Sequence, residues 1–385
     1  MIRPFTMDSF VIDIPDASVA DLHRRLDATR WPERETVDDW SQGVPLAYAR
    51  ELADHWRHRY DWRERERGLN RFDQFITEID GLAIHFIHHR SPNPDALPVL
   101  ITHGWPGSTV EFMEVIAPLA DPGAHGGDPA DAFHVVCPSL PGYGFSGKPS
   151  RAGTSVERIA AMWAVLMERL GYGHWVAQGG DWGAAVTTQI GRDATTDPSH
   201  GCRAIHLNMP IAAPTAEAMS SPTAADQAAF AAFTHYQQWD SGYSTQQRTR
   251  PQTLGYGLVD SPVAQMTWIV EKFWAWTDCD GHPENAVDRD RMLDDVMMYW
   301  LNAAGASSAR LYWESFGSFG QGTRVGIPTG VAAFPKEIIK APRSWCEQAY
   351  DITHWTDMER GGHFAALEQP AAFVEDVRAC FRPLR

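Results

Sequence analysis

Asp181 lies in a short glycine-rich segment whose spacing is typical of a turn that carries a catalytic nucleophile. Residues 179–183 read Gly-Gly-Asp-Trp-Gly, after an apolar run at residues 175–178 and before a small-residue helix start. Glycines beside the reactive residue permit a tight strand-to-helix turn that packs closely on neighbouring strands. A carboxylate at this position suits attack on an electrophilic alkyl carbon, as in an epoxide or an alkyl halide, and forms an alkyl ester.

A histidine and a second carboxylate follow the nucleophile in an order that fits this chemistry. In the α/β-hydrolase fold the nucleophile comes first, then the acid, then the histidine. His363 follows the last predicted strand, and Glu337 follows the strand before it. Asp357 and Glu359 are closer to His363 in sequence, but they lie on the last strand or just past it. We therefore predict Glu337 as the acid and His363 as the base that activates water.

A second glycine-rich loop follows the third predicted strand. Residues 103–108 read His-Gly-Trp-Pro-Gly-Ser. In this fold the corresponding loop donates one backbone N–H to an oxyanion, and the residue after the nucleophile donates another. The sequence thus predicts an oxyanion hole formed by the main chains of Trp105 and Trp182.

The elements that must position these residues alternate along the chain. Asp80 and Gly81 form the tight turn of a predicted hairpin between residues 75–79 and 82–88. Apolar runs then predict strands at residues 98–102, 133–137, 175–178, 204–207, 330–334 and 352–358, with helices at residues 110–119, 156–170, 184–190 and 373–381. This alternation indicates an α/β fold with a mostly parallel, doubly wound sheet.

Two helical regions interrupt or precede that alternation. Residues 1–74 are expected to be helical, with helices at residues 16–28 and 46–65, and residues 210–325 lack clear strand patterns. We predict an N-terminal helical extension (1–74), a first core segment (75–209), a helical cap (210–325) and a second core segment (326–385). A cap inserted there would cover the carboxyl ends of the strands, where such sheets place their sites.

Composition excludes several classes of function. The 385-residue chain has a net charge of −16, which argues against nucleic acid and anionic membranes as partners. Its five cysteines are scattered, so neither a zinc site nor a disulfide framework is expected. The first 15 residues contain no apolar run suited to a signal peptide or a membrane anchor. We expect a cytoplasmic protein without metal or organic cofactor, and a homo-oligomer stays open.

Taken together, these motifs resemble those of the microsomal-type epoxide hydrolases over essentially the whole chain. The matching segments are residues 30–32 (Arg-Trp-Pro), 103–108, 179–183, 334–337 (Phe-Pro-Lys-Glu) and 361–366 (Gly-Gly-His-Phe-Ala-Ala). The resemblance implies an N-terminal segment that wraps the hydrolase core. The animal members of the family carry a membrane anchor that this chain lacks, so it looks like a soluble bacterial form.

The resemblance also implies two cap tyrosines that hydrogen-bond the epoxide oxygen. Tyr243 matches the first and Tyr312 the second, with Tyr256 as a fallback for the first. A tyrosine, with a reference pKa of about 10, is protonated at neutral pH and can donate to the alkoxide that ring opening creates. The implied product is a vicinal diol, released when water hydrolyses the ester on Asp181.

Three questions stay open at the level of sequence. A haloalkane dehalogenase would use the same aspartate and histidine, although the cap tyrosines and the extension favour an epoxide hydrolase. A catalytically silent ligand-binding protein is the alternative from another class. Five cap aromatics either line an apolar substrate pocket or form helix-packing core: Trp239, Trp268, Phe273, Trp274 and Trp276.

Overall fold

A nine-stranded sheet forms the centre of the protein. The computed structural model describes residues 6–318 and 320–385. The order of strands across the sheet is β1-β2-β3-β5-β4-β6-β7-β8-β9. The strands are β1 (Met7–Phe10), β2 (Gln74–Ile79), β3 (Leu82–His89), β4 (Leu97–Thr102), β5 (Phe133–Pro138), β6 (Trp175–Gly179), β7 (Cys202–Leu207), β8 (Val325–Ala333) and β9 (Tyr350–Asp357).

The sheet is mostly parallel. The pairs β1–β2, β2–β3 and β3–β5 are antiparallel, and every other neighbouring pair is parallel. All residues of β4, β5 and β6 are buried, as expected for parallel strands whose two faces are both covered. The α/β-hydrolase fold predicted from the sequence is therefore confirmed.

Helices flank the sheet and fill the segment between β7 and β8. The first three are α1 (Asp16–Asp27), α2 (Leu46–His58) and α3 (Trp62–Leu69). The next three are α4 (Ile116–Ala120), α5 (Val156–Arg169) and α6 (Asp181–Thr196). Between β7 and β8 lie α7 (Ala216–Ser220), α8 (Ala224–His235), α9 (Gly242–Thr249), α10 (Pro251–Asp260), α11 (Pro262–Trp276), α12 (Arg289–Trp300) and α13 (Gly305–Ser315). The last are α14 (Arg343–Ala349), α15 (Ala365–Glu368) and α16 (Pro370–Phe381). Within the described part of the chain, no helix combines the length and apolarity needed to cross a bilayer.

The N-terminal region differs from the helical segment that the sequence predicts. Residues 7–10 form β1, which pairs along the outer side of β2. These four residues show no strand pattern of their own, and only the free edge of β2 gives them a partner. The helix predicted over residues 46–65 is two helices, because Asp61 accepts hydrogen bonds from the amides of Arg63 and Glu64 and begins α3 as its N-cap. The helix predicted over 110–119 is a 3₁₀ turn at Thr109–Phe112 followed by α4.

The N-terminal helices contact the cap as well as the sheet. Asp294 on α12 is buried and accepts a hydrogen bond from Tyr60 (2.7 Å) and one from Arg65 Nε (2.8 Å). The indole of Trp40 stacks on that of Trp274, with ring centroids 5.2 Å apart. These contacts indicate that the extension fixes the cap helices in place, in addition to wrapping the core.

We expect the substitution Asp294→Ala to lower the free energy of unfolding by about 2 to 3 kcal/mol. Removing one partner of a fully buried pair costs ~3–5 kcal/mol, and the partial exposure of Arg65 reduces that figure. Urea denaturation followed by tryptophan fluorescence measures the change. Asp38→Ala is the matched control, because Asp38 pairs with Arg34 while its side chain is 95% exposed. Equal losses in the two variants would contradict a structural role for Asp294.

Candidate active site

Asp181 occupies a strained turn between β6 and α6. It is a non-glycine residue with φ of +50°, a conformation that costs free energy for residues with a Cβ. The turn packs so closely that a Cβ on Gly183 would lie 1.9 Å from the carbonyl oxygen of Thr102, and one on Gly179 would lie 2.2 Å from the carbonyl oxygen of Gly183. Gly183 is therefore required by the contact between this turn and the end of β4, and Gly179 by the close packing of the turn on itself.

The loop after β4 brings a backbone donor to the aspartate. The amide of Trp105 donates a hydrogen bond of 2.7 Å to Oδ1 of Asp181. This is the amide that the sequence predicts for one half of an oxyanion hole. The indole of Trp182 packs edge-on against the ring of Tyr312, with centroids 4.8 Å apart. The oxyanion roles of both tryptophan amides stay predictions.

His363 lies between two carboxylates. Its Nδ1 is 2.6 Å from Oε1 of Glu337, and its Nε2 is 3.5 Å from Oδ2 of Asp181. The amide of His363 donates to the carbonyl of Trp276, at the end of α11, at 2.9 Å. A β-bridge between Lys336 and Gly362 joins the loop that carries Glu337 to the loop that carries His363. The structure therefore brings the predicted nucleophile, acid and base into one contiguous cluster.

The two carboxylates set the protonation state of the imidazole. Burial by itself would lower the pKa of His363, but the negative charges and hydrogen bonds of Glu337 and Asp181 outweigh it and raise that pKa well above its usual value. While Asp181 is ionised, His363 is held as an imidazolium. Loss of the charge on Asp181 would remove part of that stabilisation.

Two buried tyrosines project from the cap toward the aspartate. Tyr243 on α9 stacks on the indole of Trp105 at 4.7 Å, and its ring centroid is 5.7 Å from that of Tyr312 on α13. The hydroxyl of Tyr312 has no hydrogen-bond partner of ordinary geometry among residues 6–318 and 320–385. Burial is the largest of the causes that raise the pKa of both phenols, so both are proton donors at neutral pH. Tyr256, the fallback, is 70% exposed and does not join them.

Two residues beside Tyr243 were missed by reasoning from sequence. The hydroxyls of Tyr236 and Tyr243 are 3.2 Å apart. Lys272 is buried on α11, with Nζ 4.7 Å from the centroid of the Tyr243 ring and 2.5 Å from Oε2 of Glu271. Helical periodicity places Lys272 on α11 but does not show which cap helix it faces, so no signal in the sequence singled it out.

A mostly apolar cavity of about 540 Å³ opens from Asp181 into the cap. Tyr243, Tyr312 and Tyr236 contribute its phenols. The rest of its lining comes mainly from the segment after β7, from α8 and from the region near α14: Trp182, Met209, Ile211, Ala212, Ala213, Pro214, Ala229, Phe230, Phe233, Gln237, Phe316, Gly320, Ile338, Ile339, Lys340 and Trp345. A volume of this size holds a small to medium organic molecule.

The five cap aromatics predicted for the substrate pocket do not line this cavity. Trp239 is 72% exposed, and Trp268 lines a separate groove next to the N-terminal extension. Phe273 stacks on Phe364 (4.5 Å), and Trp274 stacks on a tryptophan of the extension. Trp276 packs beside the imidazole of His363 at 5.0 Å. The pocket interpretation was wrong: Phe273 and Trp276 are fully buried in the core, which was the alternative that the sequence left open, and the other three lie at the surface, in a separate groove or against the extension.

Comparison with known proteins identifies the family to which this chain is similar. A family described as the epoxide hydrolase N terminus matches residues 7–112, and the alpha/beta hydrolase fold family matches residues 98–248. A Stigmatella aurantiaca protein with a provisional epoxide hydrolase name is 53% identical over 98% of this chain and 85% of its own. Epoxide hydrolase 1 of Sus scrofa is 35% identical over 98% of this chain and 88% of its own.

A solved structure agrees with these relatives. The epoxide hydrolase of Aspergillus niger superimposes with a TM-score of 0.89 at 31% identity, covering 99% of this chain and 97% of its own. The similarity thus extends over the extension, the sheet and the cap together. The resemblance drawn from the motifs is confirmed, and the chain belongs to the epoxide hydrolase family.

Proposed function

We propose that this epoxide hydrolase acts through a covalent ester on Asp181, which a water activated by His363 then hydrolyses. The observation that carries the proposal is the position of His363, with Nδ1 2.6 Å from Glu337 and Nε2 3.5 Å from Asp181. A carboxylate that only bound a ligand would not need a base oriented toward it by a second carboxylate.

In the first half-reaction Asp181 attacks a ring carbon of the epoxide. The carbon–oxygen bond of the ring breaks, and the oxygen takes a proton from Tyr243 or Tyr312. Both phenols line the cavity into which Asp181 opens, and burial keeps both protonated. The result is a hydroxyalkyl ester of Asp181.

In the second half-reaction His363 becomes the base. Ester formation removes the negative charge of Asp181, one of the causes that raise the pKa of His363. The imidazolium then releases its proton more readily, which restores the tyrosine ionised in the first half-reaction, and the neutral imidazole can accept a proton from water. The water attacks the ester carbonyl, and the oxyanion is stabilised by the amide of Trp105, which already donates to Oδ1. The products are a vicinal diol and the free carboxylate.

The lining of the cavity indicates the kind of epoxide. Apart from the catalytic groups, its walls are mainly aliphatic and aromatic side chains, and its volume is about 540 Å³. We infer that the substrate is a lipophilic epoxide, with aryl or branched alkyl substituents, because such groups gain most from apolar burial.

We expect His363→Ala to stall with the ester in place. Without the base, the ester forms on Asp181 and hydrolyses slowly, so intact-protein mass spectrometry should show a gain equal to the whole epoxide. Peptide mapping should assign the gain to Asp181, and the double variant His363→Ala/Asp181→Asn should show none. An alkyl-only gain from a haloalkane would identify a dehalogenase, and the absence of any adduct across a broad panel would contradict the covalent mechanism.

Replacing both cap tyrosines should abolish ester formation. We expect Tyr243→Phe and Tyr312→Phe each to slow the alkylation of Asp181 by about 10- to 100-fold, and the double variant by ~10³-fold or more, because one donor partly substitutes for the other. The rate of adduct growth in the His363→Ala background measures this step alone. Tyr256→Phe is the control for a surface tyrosine. An unchanged rate in the double variant would rule out the phenols as donors.

Removing the charge of Glu337 should change the pH dependence of ester hydrolysis. The carboxylate raises the pKa of His363, so Glu337→Gln lowers it. Since hydrolysis requires the neutral imidazole, its rate rises with pH through that pKa, and this rise should move to lower pH in the variant. The plateau rate should fall by about 10²-fold, because a less basic imidazole is also a weaker base. Single-turnover rates between pH 5 and 10 test both effects, and a rise at unchanged pH would contradict the assignment.

A further inference from the structure

A second, much smaller cavity lies against Asp181. Its volume is about 20 Å³, and its walls include Asp181, His363, Glu111, Thr102 and Asn208. A site for one water needs about 10–15 Å³ of this kind of volume and two to four polar partners. Both conditions are met, so the small cavity has the size and the lining of a site for a single water molecule.

The two cavities that border Asp181 are lined by different residues. Among the described residues, Asp181 is the one that lines both. Tyr243 and Tyr312 line the large cavity, whereas His363 lines the small one. The proton donors for ring opening therefore lie on the substrate side, and the base for ester hydrolysis lies on the side of the small cavity.

Glu111 presents a carboxyl group to the small cavity. It lies on the 3₁₀ turn Thr109–Phe112, and its Oε1 packs so closely on Gly107 that a Cβ there would lie 1.5 Å away. The turn is held at its start by Ser108, whose hydroxyl accepts from the amide of Val110 and donates to Asp295 at 2.6 Å. The position of the carboxyl group is thus fixed by the loop that also carries Trp105.

The surroundings of Glu111 favour its neutral form. Burial raises its pKa well above the usual value, and the negative charges of Asp295 and Asp181 act in the same direction, against an opposing contribution from His363. A neutral carboxyl group retains a carbonyl oxygen that accepts a hydrogen bond and gains a hydroxyl that donates one.

Thr102 supplies an independent indication of a ligand in this cavity. Its side chain is fully buried, and its hydroxyl has no hydrogen-bond partner among the residues that the structure describes. Buried hydroxyls are nearly always hydrogen-bonded, and an ordered water is the usual partner where protein atoms supply none.

We propose that the small cavity holds the hydrolytic water and that Glu111 positions it for attack on the ester of Asp181. The inference rests on the two-step mechanism proposed above. The water donates one hydrogen to Nε2 of His363 and the other to the carbonyl oxygen of Glu111, which directs a lone pair at Cγ of Asp181. Thr102 fixes the water from a further direction. Glu111 is a positioning residue, because the proton that leaves the water goes to His363.

The bonds and protons of this step balance. The water oxygen bonds to Cγ, and the bond from Cγ to the ester oxygen breaks. The departing oxygen belongs to the diol and takes the proton that His363 accepted. As the new carboxylic acid of Asp181 ionises, the second hydrogen of the water restores the imidazolium of His363, and the proton that the imidazolium released before this step restores the tyrosine ionised during ring opening.

The test separates the two half-reactions in Glu111→Leu and Glu111→Gln. Styrene oxide and a panel of lipophilic epoxides serve as probes, and rapid quench with intact-protein mass spectrometry follows the formation and loss of the ester. We expect Glu111→Leu to form the ester within about threefold of the wild-type rate and to hydrolyse it ~10²-fold more slowly, as for a misplaced reactant. Glu111→Gln keeps an accepting oxygen and should hydrolyse the ester within about threefold of the wild-type rate.

Any other outcome would contradict either the role of Glu111 or the mechanism on which that role rests. Wild-type hydrolysis in Glu111→Leu, or equal slowing of both half-reactions, would overturn the positioning role. Slow hydrolysis in Glu111→Gln as well as in Glu111→Leu would overturn the role of the accepting oxygen. Failure of every variant to form an ester, including His363→Ala, would instead contradict the mechanism proposed above. If Glu111→Leu does not fold, Thr102→Val tests the same water, with hydrolysis about 3- to 10-fold slower and ester formation unchanged.

Discussion

The backbone contact between the turn at Asp181 and the end of β4 constrains the rest of the site. Gly183 lies so close to the carbonyl oxygen of Thr102 that no side chain fits between them. This contact holds Asp181 at a positive φ and aims its carboxylate out of the sheet, toward the amide of Trp105. The free energy stored in that conformation is offset by the buried parallel strands on both sides. The other groups of the candidate site reach the carboxylate from loops and helices around this point.

Charge on Asp181 links the two half-reactions. The two carboxylates that flank His363 favour its imidazolium form, and in the proposed mechanism it would become a base when one of them is esterified. Asp181 lines both cavities, so in the proposed mechanism the substrate and the water would approach it from different cavities. Under this proposal, one residue would be alkylated from the large, mostly apolar cavity and its ester hydrolysed by water from the small one.

The N-terminal extension influences the candidate active site because it contacts helices of the cap. Tyr243 and Tyr312 lie on helices α9 and α13, and in the proposed mechanism the distance of these helices from the sheet determines whether the phenols reach the substrate oxygen. The extension binds two other cap helices, α12 through the buried Asp294 and α11 through the stacked indoles of Trp40 and Trp274. Lys272, buried in α11 against the ring of Tyr243, ties that phenol to a helix that the extension contacts. The N-terminal segment therefore helps to fix the position of Tyr243, one of the two proposed proton donors.

The sequence by itself determined the fold class and the residues whose chemistry depends on local pattern. Asp181 and the loop of Trp105 are recognisable because strained turns need glycines at fixed spacing, and Glu337 and His363 because chain order follows strand order. The cap tyrosines required a family resemblance, since a buried phenol leaves no periodic signal. Tertiary structure alone decided what lines the pocket: of the aromatics predicted from the cap sequence, Trp239 lies on the surface and Phe273 is buried against Phe364. Tertiary structure also placed Glu111 beside His363, because its position depends on the packing of two loops that lie far apart in the chain.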